Sequence, residues 1–256
     1  MTSSATTALF ALAGLVVGSF LNVCIHRLPR RESLLWPASH CPACSRPLAW
    51  FENIPVVSWL VLRGRCRVCR AQISMMYQAI ELTTAVLFAA MYAMHGIQPL
   101  LVARVLFGCA LVVLFVIDLR HRILPDLITL PGIAAGFGAS LLLPPGPVAS
   151  LLGIALGGGI LFALSKAYYR LRGHEGLGMG DVKMLAMIGA FLGWRLVLVT
   201  LFLASFSGSL VGLVLIASGR GSLKSQLPFG AFLAASALVS AFGGAPLLTW
   251  YLSLYR

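Results

Sequence analysis

Residues 184–218 read MLAMIGAFLGWRLVLVTLFLASFSGSLVGLVLIAS, an apolar run whose only charge is Arg195. A helix through all of it would be roughly 50 Å long at about 1.5 Å per residue. The hydrocarbon core of a bilayer is about 30 Å thick, so the run is too long for one crossing. Gly193-Trp194-Arg195 is the natural break, leaving a short sixth span and a seventh that ends near Ser218. Working outward, apolar runs at Ala5–Ile25, Met75–Met94, Leu100–Ile117, Leu127–Leu143 and Ser150–Tyr169 supply the first five spans, and Phe229–Trp250 the eighth. The expectation is an all-α polytopic membrane protein with about eight transmembrane helices. Composition agrees: 59% of the 256 residues are hydrophobic and the mean hydropathy is +0.94.

The opening MTSSATT carries no positive side chain, and arginines follow the first apolar run instead of preceding it. That order suits an uncleaved anchor with its N-terminus outside. Four loops, 26–74, 118–126, 166–183 and 219–227, then face the cytoplasm. They hold 16 of the 19 Lys and Arg residues. The net charge of +12 therefore reads as membrane topology under the positive-inside rule, and no nucleic-acid partner is expected.

Loop 26–74 contains HCPACSRPLAWFENIPVVSWLVLRGRCRVCR, with Cys41, Cys44, Cys66 and Cys69 as two CxxC pairs. Each pair can offer two thiolates to one ion, and both pairs together make a closed tetrahedral site. Zinc is the default ion, because a closed four-sulfur site needs no redox chemistry. The alternatives are two disulfides, which a reducing cytoplasm argues against, and reduced cysteines with no ligand. A closed site has no position for substrate, so the metal organises the loop. His26 and His40 are then ordinary polar residues, and Cys24 and Cys109 are packing residues.

Of the seven acids, Asp118 ends the third span in LFVIDLRHRILPD and Asp181 opens the sixth in GMGDVKM. One helix runs inward and the other outward, so both carboxylates fall at the cytoplasmic end of the membrane. Two carboxylates meeting there do not both ionise; one keeps a proton while the other acts as base. A water between them could attack a peptide carbonyl that the protonated partner polarises, which is aspartic protease chemistry. Gly178 and Gly180 permit close backbone approach beside them. Two simpler readings stay open: Asp181 as a helix N-cap, and Asp118 paired with Arg120 or Arg122. Asp126, after Pro125, reads as a helix start with some part in shaping the site. Glu81, about one turn into the second span, could pair with Gln78 or Arg104 or face the loop.

These motifs, in order, resemble those of type IV prepilin peptidases: GSFLNVCIHRLPR, the CPAC…ENIPVVSWLVLRGRCRVC block, IDLRHRILPDLITLP, GMGDVKMLAMIGAFLGW and LPFGAFLAA. The resemblance runs along nearly the whole chain. It implies that Asp118 and Asp181 are the catalytic pair of a GxGD-type aspartic endopeptidase in the bacterial inner membrane. Its substrates would be type IV prepilins or type II secretion pseudopilins, whose basic leaders are cut after glycine at the cytoplasmic face. It further implies N-methylation of the new terminal residue, usually Phe, from S-adenosylmethionine. The RGRC element would put Gly64 and Arg65 near that transfer. The implied division is a first helix (1–25), a zinc- and methyltransferase-associated domain (26–74) and a membrane peptidase domain (75–256). Glu52, Glu175 or anionic lipid would guide the basic leader. A transporter would instead carry acids at the bilayer midplane within internal repeats, and the sequence has neither. A non-enzymatic scaffold would tolerate asparagine at both aspartates.

Overall fold

The computed structural model describes residues 3–173, 178–220 and 227–253. Gly176 of the glycine motif, Glu175, Lys224 and Arg256 lie outside the described residues. The described chain is helical, with two isolated β-bridges and no named strand. Its helices are α1 (Ser4–Arg27), α2 (Val57–Val61), α3 (Met76–His95), α4 (Pro99–His121), α5 (Asp126–Ser140), α6 (Pro147–Arg172), α7 (Met179–Ala217) and α8 (Phe229–Ser253). Ser4–Arg30, α4, α6 and α7 are long and apolar enough to cross a membrane. The chain divides into two compact units, Met1–Val105 and Leu106–Arg256.

In the first unit α1 and α3 pack as an antiparallel pair. A Cβ added at Gly14 would fall 2.6 Å from Ala85 Cα, and one at Gly18 would fall 2.7 Å from Glu81 Cα. Next along the seam, Asn22 Nδ2 donates to Tyr77 O at 3.1 Å, and at its other end Phe10 stacks on Tyr92. Burying apolar surface gives helices little reason to associate in lipid, so close contact at small residues and shared hydrogen bonds hold the pair.

In the second unit the first half of α7 is the centre. Met184, Leu185, Met187, Ile188 and Ala190 are all fully buried, the mark of a helix surrounded on every side. Phe107, Leu111 and Leu114 of α4, Leu161 of α6, and Leu233, Ala234 and Ala237 of α8 pack around it. Gly153 of α6 and Gly189 of α7 meet backbone to backbone, and Ser150 Oγ donates to Ala190 O at 2.9 Å. The break anticipated in the long apolar run falls at Gly193, where φ 78° and ψ 171° interrupt the α7 helix. Beyond it α7 turns Phe202, Phe206 and Leu213 outward, while Thr200 keeps a buried hydroxyl contact with Ser240 of α8 at 2.9 Å.

Candidate functional site

Asp118 stands three residues before the end of α4 and is buried. Its Oδ2 accepts the backbone N–H of Ala231 at 2.7 Å. That donor is in the first turn of α8, where amides have no partner within the helix and a carboxylate is a favourable acceptor. Neither Arg120 nor Arg122 makes a direct ion pair with Asp118; the Arg122 backbone N–H donates to the Asp118 main-chain carbonyl, and the Arg122 charge acts on the acid from farther away.

Asp181 is not the N-cap of α7. Gly178 holds that position in extended backbone, with no side-chain cap, and Asp181 is the third residue of the first turn. Its carboxylate is close enough to that of Asp118 for their charges to repel. Leu124 packs between Gly180 of α7 and Gly230 of α8, and Gly230 in turn borders Asp118. A Cβ on Gly180 would sit 3.0 Å from Leu124 Cβ, and one on Gly230 would sit 2.9 Å from Leu124 Cδ1 and 3.0 Å from Asp118 Oδ2. Gly180 and Gly230 are therefore small because the space is filled. Among the described residues, a Cβ at Gly178 would meet Asp181 Oδ2, at 3.6 Å, and Gly180 N, both at ordinary contact distance.

Asp126, in the first turn of α5, is turned to a different task. Both its oxygens accept from Lys183 Nζ, at 2.8 and 2.7 Å, tying α5 to α7 two residues beyond Asp181. Sequence reasoning gave no role to Lys183, Leu124, Gly230 or Ala231. The last two lie in the LPFGAFLAA motif, which was visible as a pattern without any indication of its partner.

The four cysteines of loop 26–74 converge, and their sulfurs all lie within 4.8 Å of one another. Tetrahedral sulfur ligands at about 2.3 Å from an ion would be about 3.8 Å apart, so the group can hold a metal ion with little adjustment. The two knuckles repeat each other. Ser45 N donates to Cys41 O and Cys41 N to Arg46 O; Arg70 N donates to Cys66 O and Cys66 N to Ala71 O. Ser45 and Arg70, each just past the second cysteine, share a left-handed backbone, with φ 55° and 60°. Backbone N–H groups of Val68 and Cys69 aimed at the Cys66 sulfur lower its thiol to about 6, while, against a hydrogen bond from the Ala71 N–H, burial and the neighbouring sulfurs push Cys69 up to about 11. None of the six cysteines forms a disulfide.

Around the knuckles, Arg46 donates to both oxygens of Glu52 at 2.7 and 2.9 Å, and these bonds hold Glu52 below the ordinary carboxylate range. Gly64 has φ 67°, and a Cβ there would press to 2.9 Å from the Trp59 ring. Arg65 is exposed and bridges to Gln72. Glu81 faces the loop: its Oε2 accepts the N–H of Val56 at 2.8 Å.

Comparison with known proteins agrees with both halves of this arrangement. Residues 12–95 match the bacterial peptidase A24 N-terminal domain, and residues 105–213 match the type IV leader peptidase family. A prepilin leader peptidase/N-methyltransferase of Aeromonas salmonicida is 38% identical, covering 96% of this chain and 94% of its own length. Proteins of the same name from Myxococcus xanthus and Burkholderia pseudomallei are 44% and 38% identical, over 85% and 91% of this chain and 65% and 84% of their own. No solved structure gave a significant match. With both domain matches in order and relatives similar over nearly its full length, the chain belongs to the type IV leader peptidase family.

Proposed function

We propose that this protein is a bifunctional membrane enzyme: an aspartic endopeptidase that removes the leader of type IV prepilins, and an N-methyltransferase acting on the new terminus. The observation that carries the peptidase half is that the charges of Asp118 and Asp181 act on each other, with Leu124 packed against both Gly180, beside Asp181, and Gly230, beside Asp118. Asp118 Oδ2 accepts a backbone N–H, which makes that oxygen the less favourable place for a proton. The proton that the pair shares is left to the remaining oxygens. In this reading a water between the carboxylates loses its proton to one of them and adds to the scissile carbonyl, while the protonated partner donates to the carbonyl oxygen. The proton taken from water then passes to the departing amine, and the hydroxyl formed from the carbonyl returns its proton to the carboxylate that gave it, as the tetrahedral intermediate collapses.

The finer assignments belong to the same reading. Topology supports about eight spans, with the kinked α7 counted twice, in the bacterial inner membrane. It also supports the cysteine loop and the aspartates facing the cytoplasm. The division into a first helix, a cysteine domain (26–74) and a membrane peptidase domain (75–256) follows from that topology. Pseudopilins share the prepilin pattern of a basic leader before an apolar helix and would be substrates as well. Zinc is the ion best suited to four thiolates in a closed site. S-adenosylmethionine supplies the methyl group when bound, and we place its transfer near Gly64 and Arg65.

The test is to incubate the protein, in nanodiscs, with a prepilin and read the product's N-terminus by mass spectrometry. Cleavage after glycine is expected, and Asp118→Asn and Asp181→Asn should each abolish it. Normal cutting by either variant would refute the assigned pair. Methylation should appear only when S-adenosylmethionine is supplied, and an unmodified product at saturating donor would remove that half.

A further inference from the structure

Helix α2 is a single turn with an inverted character. Val57, Leu60 and Val61, spaced to share one face, are 53%, 61% and 76% exposed. Trp59 turns the other way, against Gly64, with its Nε1 donating to Ile73 O at 3.3 Å. Three aliphatic side chains held outward by an inward-facing tryptophan would be unfavourable in water.

The depth of α2 explains the choice. Val56, the residue before it, donates its N–H to Glu81 Oε2 at 2.8 Å. Glu81 is buried, and Gly18 of α1 packs against its Cα. Gly18 lies well inside an apolar helix that is long enough to cross the membrane and runs on to Arg27. Glu81 itself is roughly 8 Å from the start of α3 at about 1.5 Å per residue. The beginning of α2 is therefore pinned beside the first turns of α3, not out in the aqueous part of the loop. Val56 is held there with φ 59° and ψ −49°, at the centre of a tight turn in which the Val57 N–H reaches Pro55 O, a conformation that a β-branched residue rarely adopts. Such a backbone persists only where its surroundings enforce it.

Charge completes the pattern. Arg63 and Arg65 follow α2 directly and both are exposed. Loop 26–74 has two acids, Glu32 and Glu52, and Glu52 is bound to Arg46. An aliphatic face at the end of a membrane helix, with arginines immediately beyond it, matches the acyl boundary and headgroup layer of a bilayer.

We propose that α2 is an interfacial anchor. Its Val57, Leu60 and Val61 face enters the leaflet at the C-terminal end of α1, and Arg63, just after it, takes the phosphates of anionic lipids. The cysteine loop is thereby held against the membrane surface and not free to swing on its two tethers. This inference does not depend on the assignment of the catalytic pair.

The experiment uses the full chain in nanodiscs, with Leu60→Trp carrying 5-fluorotryptophan; its new fluorine resonance is the one absent from the wild-type spectrum. Lipid spin-labelled near the top of the acyl chain should broaden that resonance by more than half, and an aqueous gadolinium chelate should leave it nearly unchanged. Broadening by the chelate and not by the lipid would place α2 in water and overturn the proposal. Protection from both would mean that protein covers the face, from a second copy or otherwise, and would overturn it equally. If Leu60→Trp does not fold, Val61→Trp offers the same readout. Broadening by labelled lipid should at least halve when phosphatidylglycerol is replaced by phosphatidylcholine; equal broadening would remove the anionic-lipid part.

Discussion

The carboxylate of Asp118 takes a hydrogen bond from the backbone N–H of Ala231 across 2.7 Å, although the residues lie 113 positions apart in the chain. The N-terminus of α8 thus acts as a brace for an acid carried by α4. Catalysis is sensitive to such bracing, because a displacement of about 1 Å can cost about a hundredfold in rate.

Gly230 is where this brace is most exposed to test. A methyl group there would press on both Leu124 and Asp118. Gly230→Ala is expected to lower kcat for prepilin cleavage by about ten- to a hundredfold, while the protein stays folded with a modestly lowered thermal unfolding midpoint from the same crowding. Steady-state kinetics beside a melting curve would decide it, and a normal kcat would show that the brace is not needed.

Asp126 should behave unlike the other two aspartates. Its pair with Lys183 is exposed at Asp126 and half-buried at Lys183, so breaking it should cost at most about 1 kcal/mol. Asp126→Asn is expected to cleave within a few-fold of the wild-type rate, where Asp118→Asn does not cleave. Loss of all activity in Asp126→Asn would move it into the chemistry.

The cysteine knuckles predict one zinc per chain by elemental analysis. Cys41→Ser or Cys66→Ser should release it and open loop 26–74 to limited proteolysis. Zinc should also leave as pH falls, because each thiolate that gains a proton ceases to be a ligand. Intact thiols with no metal bound would contradict the site.

Gly64→Ala would force a side chain into left-handed backbone and against Trp59, at a cost of about 1 kcal/mol or more. The expected result is a product that is cut but poorly methylated, seen as the unmethylated mass at saturating S-adenosylmethionine. Methylation at the wild-type rate would detach Gly64 from that activity.

Much of this protein was legible as local pattern. Long apolar runs marked the helices, Gly193 marked the break in the longest, and paired CxxC spacing marked a metal-binding cluster, because each feature depends on residues only a few bonds or turns apart. Asp118 and Asp181 stood out because an acid beside an apolar run is expensive to keep. The sequence left other matters open, and the fold resolved them. It shows that Asp181 is not a cap, that Asp118 bonds to α8 instead of a nearby arginine, and that Asp126 belongs to Lys183. It also gives Glu81 a loop amide as its partner. Such pairings join residues dozens of positions apart. They are set by how closely helices can approach at residues such as Gly153, Gly189 and Gly230, a steric fact about two surfaces at once that no single stretch of chain contains.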